Sequence, residues 1–513
     1  MNNLGALLKY FPAGTAEGEI GILDEVFVFS DELRRIMSPP DGSPYLLVGN
    51  KGSGKSALML FLKSLLASQK VPALVINPSD IDTSAIGDSY STGDMRRLFR
   101  RSLLSAISGT LAANQKGYTD DQLLILNNAV DAGRASPSDF FRLASFLSEI
   151  AKPLIKTDLA AAFPKLLKST QSDVEDAIAR VVGRSGFHVF LDDTDQVANP
   201  DKAGHLNRVW ALILAVRDLA QTTPNLRFVV SLRSEVWNRL RNDSAGQRDQ
   251  TDHFNSLVVP MYTSEEHVGR ILDRRMALAA ATTSKGFLSS YDPFFSTTDA
   301  RAPKSHERRL WKDLVVVRSR ERPRDAIQLV HKMASLAIEE GKEKIDEAIF
   351  HEVMPQFSET VSGQVAQEVE RECPQAGEII REFAFADYDE IGFTLTADAA
   401  KSSFKRILSR TGVTLFGRLL RQDSEDDLFD LWRLFYAIGF LSARVSDSTQ
   451  QNGFAYLSPA HEPRLISKSR WNDMQKVLWE VHPAYRDYLI AKQVQRQRET
   501  GLAFKKPHRR NKR

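Results

Sequence analysis

The sequence predicts an α/β fold built on a parallel sheet, followed by a helical region and a smaller mixed domain. Three observations carry this. Short continuous apolar runs alternate with amphipathic helical stretches through the first half of the chain. A glycine-rich stretch separates the first such run from the helix after it. Beyond Ser264 the apolar spacing is largely helical.

Taken in order, Pro39, Pro40, Asp41, Gly42 and Ser43 form a turn-rich break that ends a lead segment, residues 1–43. Tyr45-Leu46-Leu47-Val48 then reads as a short buried strand. The spacing predicts a helix over 57–68, with Leu58, Phe61, Leu62 and Leu65 on one face. A second strand is expected over 71–76. A helical insertion over about 96–168 follows, with apolar positions around Leu98, Leu103, Leu123, Leu126, Phe146 and Leu147. Apolar strands over 187–191 and 227–232 complete a domain spanning 44–262. Helices over 265–281 and 323–340 place a helical lid domain at 263–345. In the segment 346–495, helices over 402–420 and 428–438 precede a strand and a hairpin around Gly453-Phe454-Ala455-Tyr456. That order is winged-helix-like, and residues 496–513 form a basic tail.

Composition narrows the classes. The 68 basic and 65 acidic side chains leave a net charge of +3, so any nucleic-acid or membrane attraction must be local. The single cysteine, Cys373, allows neither an intrachain disulfide nor a cysteine zinc cluster. Residues 1–10 lack the basic-then-apolar order of a signal peptide. No apolar run reaches the roughly 20 residues of a spanning helix. A soluble cytoplasmic protein without membrane attachment is expected.

Gly49-Asn50-Lys51-Gly52-Ser53-Gly54-Lys55-Ser56 matches the phosphate-binding pattern G-x-x-x-x-G-K-S at every defined position. Its context, strand before and helix after, is the required one. Glycines let successive backbone N–H groups face phosphate oxygens, and the new helix adds its positive end. Lys55 is expected to reach the β- and γ-phosphates of ATP, and the Ser56 hydroxyl to ligate Mg2+. Ala57 continues the loop into the helix and joins the nucleotide-binding set.

Phe187-His188-Val189-Phe190-Leu191-Asp192-Asp193 supplies the second carboxylate site, an apolar strand ending in two acids. Asp192 is assigned to the metal and Asp193 to polarising the attacking water, with Asp195 a further candidate. Phe228-Val229-Val230-Ser231-Leu232-Arg233 ends in an arginine placed to sense the γ-phosphate, or else to pair with an acid such as Glu235.

These elements together resemble the P-loop ATPases with an additional central strand, and within them the STAND group and its KAP-like and AAA+ relatives. Ser231-Leu232-Arg233 is similar to the Thr-x-Arg-like string of STAND proteins. The resemblance implies a nucleotide-proximal proline at Pro323 and a second sensor arginine at Arg324. It also implies a diphosphate-contacting histidine at His482, although Pro483 stands at the acid position of the Met-His-Asp motif. AAA+ hydrolases usually carry glutamate where Asp193 stands, so the resemblance implies a slow, switch-like ATPase. Arg239, Arg241 and Arg248 are available to act in trans in a homo-oligomer or a nucleotide-dependent assembly. In layout the chain is also similar to bacterial P-loop ATPases found near antiviral defence genes.

Two functions remain open. The preferred one is a signalling switch that controls a separate effector protein in antiviral defence. The other is a DNA-acting ATPase of the initiator or loader type. Nucleic acid would be reached through Arg406, Arg410, Arg418 and Arg421, expected on helices of the winged-helix-like region. The tail adds six cations, Lys505, Lys506, Arg509, Arg510, Lys512 and Arg513.

Overall fold

The structure is a computed structural model. It describes residues 3–12, 14, 16–81, 90–114, 119–135, 170–183, 186–197, 204–242, 253–261, 263–283, 287–302, 308–389, 392–448, 453–457, 459, 462 and 464–500. The chain forms two compact units. The first holds Gly14–Ser264 and the short segment Arg322–Arg324. The second holds Met1–Ala13, Glu265–Glu321 and Asp325–Arg513. The lead segment is thus divided between them, and the helical and C-terminal regions share one unit.

In the first unit five strands, β1 (Tyr45–Gly49), β2 (Ala73–Ile76), β3 (Phe187–Leu191), β4 (Leu226–Arg233) and β5 (Val258–Pro260), form one parallel sheet in the order β2-β3-β4-β1-β5. The loop-bearing strand β1 and the acid-bearing strand β3 are therefore not neighbours. Strand β4 lies between them, which is the additional central strand of the expected fold.

Each strand alternates sides. Leu46 and Val48, Phe187, Val189 and Leu191, and Phe228, Val230 and Leu232 pack into one core with Phe99, Leu103, Trp210 and Ile213. Leu47, Phe190 and Val229 face the other way, onto Leu58, Met59, Leu62 and Leu66 of the helix Lys55–Ser68. Because both faces are covered, these strands read as unbroken apolar runs rather than as alternating ones. Strand β5 was not legible: it has three residues and ends in Pro260, a residue tolerated at a sheet edge.

The described part of the insertion is helical. Thr92–Ala113 starts ahead of the expected position because Ser91 caps it, its side chain accepting from the Asp94 amide. Asp120–Asp131 and Gln171–Val182 each open on a capping box, Thr119 with Gln122 and Thr170 with Asp173. Phe146 and Leu147 lie outside the described residues.

The second unit contains the helices Glu265–Ala281, Trp311–Arg318, Glu347–Glu368, Ala397–Arg410, Glu425–Ala437 and Pro483–Thr500, and the helix Pro323–Glu339 from Asp325 on. A short antiparallel pair joins β6 (Asp299–Arg301) to β7 (Arg308–Leu310). A four-stranded antiparallel sheet follows the order β12-β11-β13-β8, from β8 (Thr394–Leu395), β11 (Leu441–Ser446), β12 (Phe454–Leu457) and β13 (Leu478–Val481).

The helix expected over 402–420 stops at Arg410. Beyond it β9 (Thr414–Leu415) and β10 (Arg418–Leu419) form a hairpin. Its two central residues, Phe416 and Gly417, have φ of 50° and 77°, the left-handed pair that a tight hairpin turn requires. Thr411, Val413 and Thr414 are β-branched and Gly412 lies among them, so helix propensity fails there. Arg418 and Arg421 are therefore not helical. Arg418 pairs with Asp427 and Asp430, Arg421 approaches Asp427 at 3.8 Å, and Arg410 reaches Glu382 at 3.5 Å. No described helix is long and apolar enough to cross a membrane.

Candidate nucleotide-binding site

Parallel register brings the C-terminal ends of β1, β3 and β4 together. Gly49 lies opposite Arg233, and Leu191 opposite Val230. The glycine loop, the acidic turn and the end of the central strand thus share one rim, where ligands of such sheets bind.

The loop is shaped for close approach. Gly52 and Gly54 have φ of 80° and 95°. A Cβ at Gly49 would lie 2.8 Å from Ser53 Oγ and 2.9 Å from the Met261 carbonyl oxygen. Lys55 is only 7% exposed. Its ammonium donates to the carbonyls of Gly49 at 2.8 Å and Asn50 at 3.1 Å. Burial lowers its pKa, opposed first by Asp195, then by Glu235, Asp193 and Asp192. Ser53 Oγ is buried without a hydrogen-bond partner among the described residues. Lys51, Ser56 and Ala57 are half-buried along the same loop and first helical turn.

At the end of β3, Asp192 Oδ1 accepts from Ser231 Oγ at 2.7 Å and from the Asp193 amide at 2.9 Å. The Asp193 amide also donates to Ser231 Oγ at 2.9 Å. Asp193 is left-handed, at φ 45° and ψ 37°, a conformation aspartate tolerates better than most residues. Its Oδ2 accepts from Gln196 Nε2 at 3.1 Å. Burial raises its pKa, with Asp192 and Asp195 adding to the shift.

Arg233 pairs through Nε with Asp195 Oδ2 at 3.0 Å. The partner is thus Asp195 and not Glu235, the acid nearer in sequence. Asp195 reaches Arg233 because the short helical turn Thr194–Gln196 carries it back toward the central strand.

The segment Arg322–Arg324 belongs to the same unit as the loop. A Cβ on Gly52 would lie 3.5 Å from Arg324 Cβ and 3.8 Å from Arg322 Cβ. Pro323 opens its helix, where a missing N–H costs nothing. Arg324 Nε is buried without a hydrogen-bond partner among the described residues. His482 belongs to the second unit, where Nδ1 accepts from the Ala484 amide at 3.2 Å. Arg239 and Arg241 lie on the helix Ser234–Asn242, and Arg248 is outside the described residues.

The residues fit a polyphosphate with magnesium. A buried cation, two orphaned polar atoms and a glycine cradle converge on the loop. Among the described residues no cluster of three or more acids, histidines or cysteines could hold a metal by itself. Magnesium needs no such cluster, since it binds through one or two carboxylates together with phosphates and water. Sequence reasoning gave Ser231 no role of its own. Its signal is a single hydroxyl following the apolar run Phe228-Val229-Val230.

Residues 266–366 match the family described as the FunZ-associated C-terminal helical domain. No curated protein matches the chain. Among solved structures, the ORC2 protein of Aeropyrum pernix with ADPNP and ADP is similar at 11% identity and TM-score 0.40, covering 94% of each chain. The ORC1 protein of Aeropyrum pernix in complex with DNA is similar at 13% identity and TM-score 0.34, covering 97% of this chain and 98% of that one. Cdc6p from Pyrobaculum aerophilum is similar at 12% identity and TM-score 0.31, covering 94% of each chain. The chain's own strand order and loop define it as a parallel-sheet P-loop protein.

Proposed function

We propose that this protein binds ATP with magnesium at the Gly49–Ser56 loop and hydrolyses it slowly, with nucleotide state controlling its second unit. One observation carries the reading: the buried Lys55, the Asp192–Ser231 pair and the Arg322–Arg324 segment converge on a single glycine loop. Lys55 would hold the β- and γ-phosphates, with backbone N–H groups of the loop around them. Ser56 and Asp192 would hold magnesium, which when bound neutralises phosphate charge. Asp193 would orient and deprotonate the attacking water, one methylene further from it than a glutamate would reach. Arg233 and Arg324 would contact the phosphates from the two flanks. Pro323 fixes the entry of the helix that carries Arg324. His482 is a candidate diphosphate contact on its resemblance to the Met-His-Asp histidine.

We favour a DNA-acting use of this switch. The succession of β8, the helices Ala397–Arg410 and Glu425–Ala437, and the β11–β12 hairpin supports a winged helix in the second unit. The six cations at the chain end supply sequence-independent attraction. Control of a separate effector, with antiviral defence as its setting, is the second reading. It is favoured by the pairing of Arg410, Arg418 and Arg421 with acids, which leaves fewer cations for phosphates. Arg241, exposed on the helix after β4, is available to a neighbouring copy in an assembly.

The test is ATP hydrolysis by the full chain with and without DNA or RNA, beside Asp193→Asn. DNA-stimulated turnover that Asp193→Asn abolishes supports the favoured reading. Unstimulated turnover with co-purification of a partner supports the second. ATP binding without turnover would make the protein a nucleotide-bound scaffold.

A further inference from the structure

The acidic turn contains a third carboxylate that the roles above leave unused. Asp195 is 5% exposed. Its Oδ2 lies 3.0 Å from Arg233 Nε, and its Oδ1 is buried with no hydrogen-bond partner among the described residues. The backbone there is anchored, since the Asp195 carbonyl oxygen lies 3.1 Å from Nε2 of the buried His205. Arg233 ends the central strand directly opposite Gly49, the first residue of the loop. Asp195 is also the leading acidic neighbour of Lys55. A single half-satisfied carboxylate therefore holds one of the cations that the proposed function assigns to nucleotide and acts electrostatically on the other.

We propose that Asp195 is a positioning residue that tempers the site's preference for ATP over ADP, holding Arg233 until a terminal phosphate displaces it. The inference rests on the ATP-binding reading above. The physical basis is competition between like anions. A carboxylate and a phosphate oxygen both bind the guanidinium fork, and they repel each other when close. The loop cradles the inner phosphates, so the third phosphate is the one that extends toward the strand ends. ADP leaves the Asp195–Arg233 pair intact. ATP takes Arg233 over from Asp195.

The experiment is equilibrium titration, with magnesium, of ADP and of a non-hydrolysable ATP analogue into the full chain and its variants. Asp195→Asn removes both the competitor and the repulsion. It should tighten the analogue on the order of tenfold, a magnitude common for coupled sites, and change ADP far less. Arg233→Ala should weaken the analogue by a similar factor and spare ADP. In the double variant the Asp195→Asn gain should shrink to the smaller part due to lost carboxylate–phosphate repulsion. Asp195→Glu, which can keep the pair, should retain the wild-type ratio. Equal changes for both nucleotides, or a gain undiminished without Arg233, would overturn the proposal. Should Asp195→Asn fail to fold, an unchanged ratio in Arg233→Ala overturns it alone. Failure of the wild type to bind either nucleotide would overturn the ATP reading and this inference together.

Discussion

Ser231 donates its hydroxyl hydrogen to Asp192 Oδ1 at 2.7 Å, from the strand beside the one Asp192 ends. The central strand thereby aims the carboxylate assigned to magnesium, and leaves Oδ2 without a hydrogen bond among the described residues. Ser231→Ala should weaken magnesium-dependent ATP binding by roughly ten- to a hundredfold, in line with about 1.5–3 kcal/mol for a hydrogen bond to a charged group. Binding measured with EDTA in place of magnesium should barely change. A magnesium titration of ATP affinity checks this; an unaltered magnesium dependence would remove the role given to Ser231.

Asp192 and Asp193 are adjacent but differently held, and their variants should separate. Asp192→Asn should weaken magnesium-dependent binding. Asp193→Asn should keep ATP bound and slow single-turnover hydrolysis by about 100-fold or more, the usual contribution of a general base. Identical behaviour of the two variants in binding and single-turnover assays would refute the division.

The glycine loop and the acidic strand were legible because their chemistry is local. The loop is a contiguous string, and β1, β3 and β4 are mainly apolar since both sheet faces are covered. The position of β4 between β1 and β3 is a matter of tertiary pairing, and only the resemblance to a known architecture suggested it. Arg233 illustrates the limit. Glu235 is its near neighbour in sequence, yet a short turn brings Asp195 to it instead. The hairpin at Thr414–Leu419 hides for a simpler reason: Leu415, Leu419 and Leu420 mimic helical spacing, while the left-handed Phe416-Gly417 turn breaks it.

His188 is buried in β3 beside Arg227, and burial first, then that guanidinium, holds its pKa down at about 4. The unfolded chain protonates this histidine near its ordinary value of 6.5, so it binds more protons than the folded chain between the two values. Stability should therefore fall as pH drops from about 6.5 toward about 4. In His188→Leu this contribution to the pH dependence should disappear. Denaturant titrations across that window, run on both proteins, check it; parallel pH profiles would contradict it.

Within the second unit Arg320 donates to Asp325 Oδ2 at 2.7 and 3.0 Å, and the two side chains are 6% and 4% exposed. The guanidinium also lies over the Tyr485 ring and reaches Gln364. Arg320→Ala leaves Asp325 buried without its cation and should destabilise this unit by about 3–5 kcal/mol. Equilibrium unfolding followed by far-UV circular dichroism measures it, and a loss below about 1 kcal/mol would show that water replaces the arginine.

The central claim is that the loop around Lys55 is an ATP site. The most direct measurement is equilibrium titration of labelled ATP with magnesium into the wild type and Lys55→Ala. The account predicts saturable binding at one site per chain in the wild type, and loss of tight binding when the buried cation is removed. Wild-type affinity in Lys55→Ala, or no ATP binding by the wild type, would contradict it.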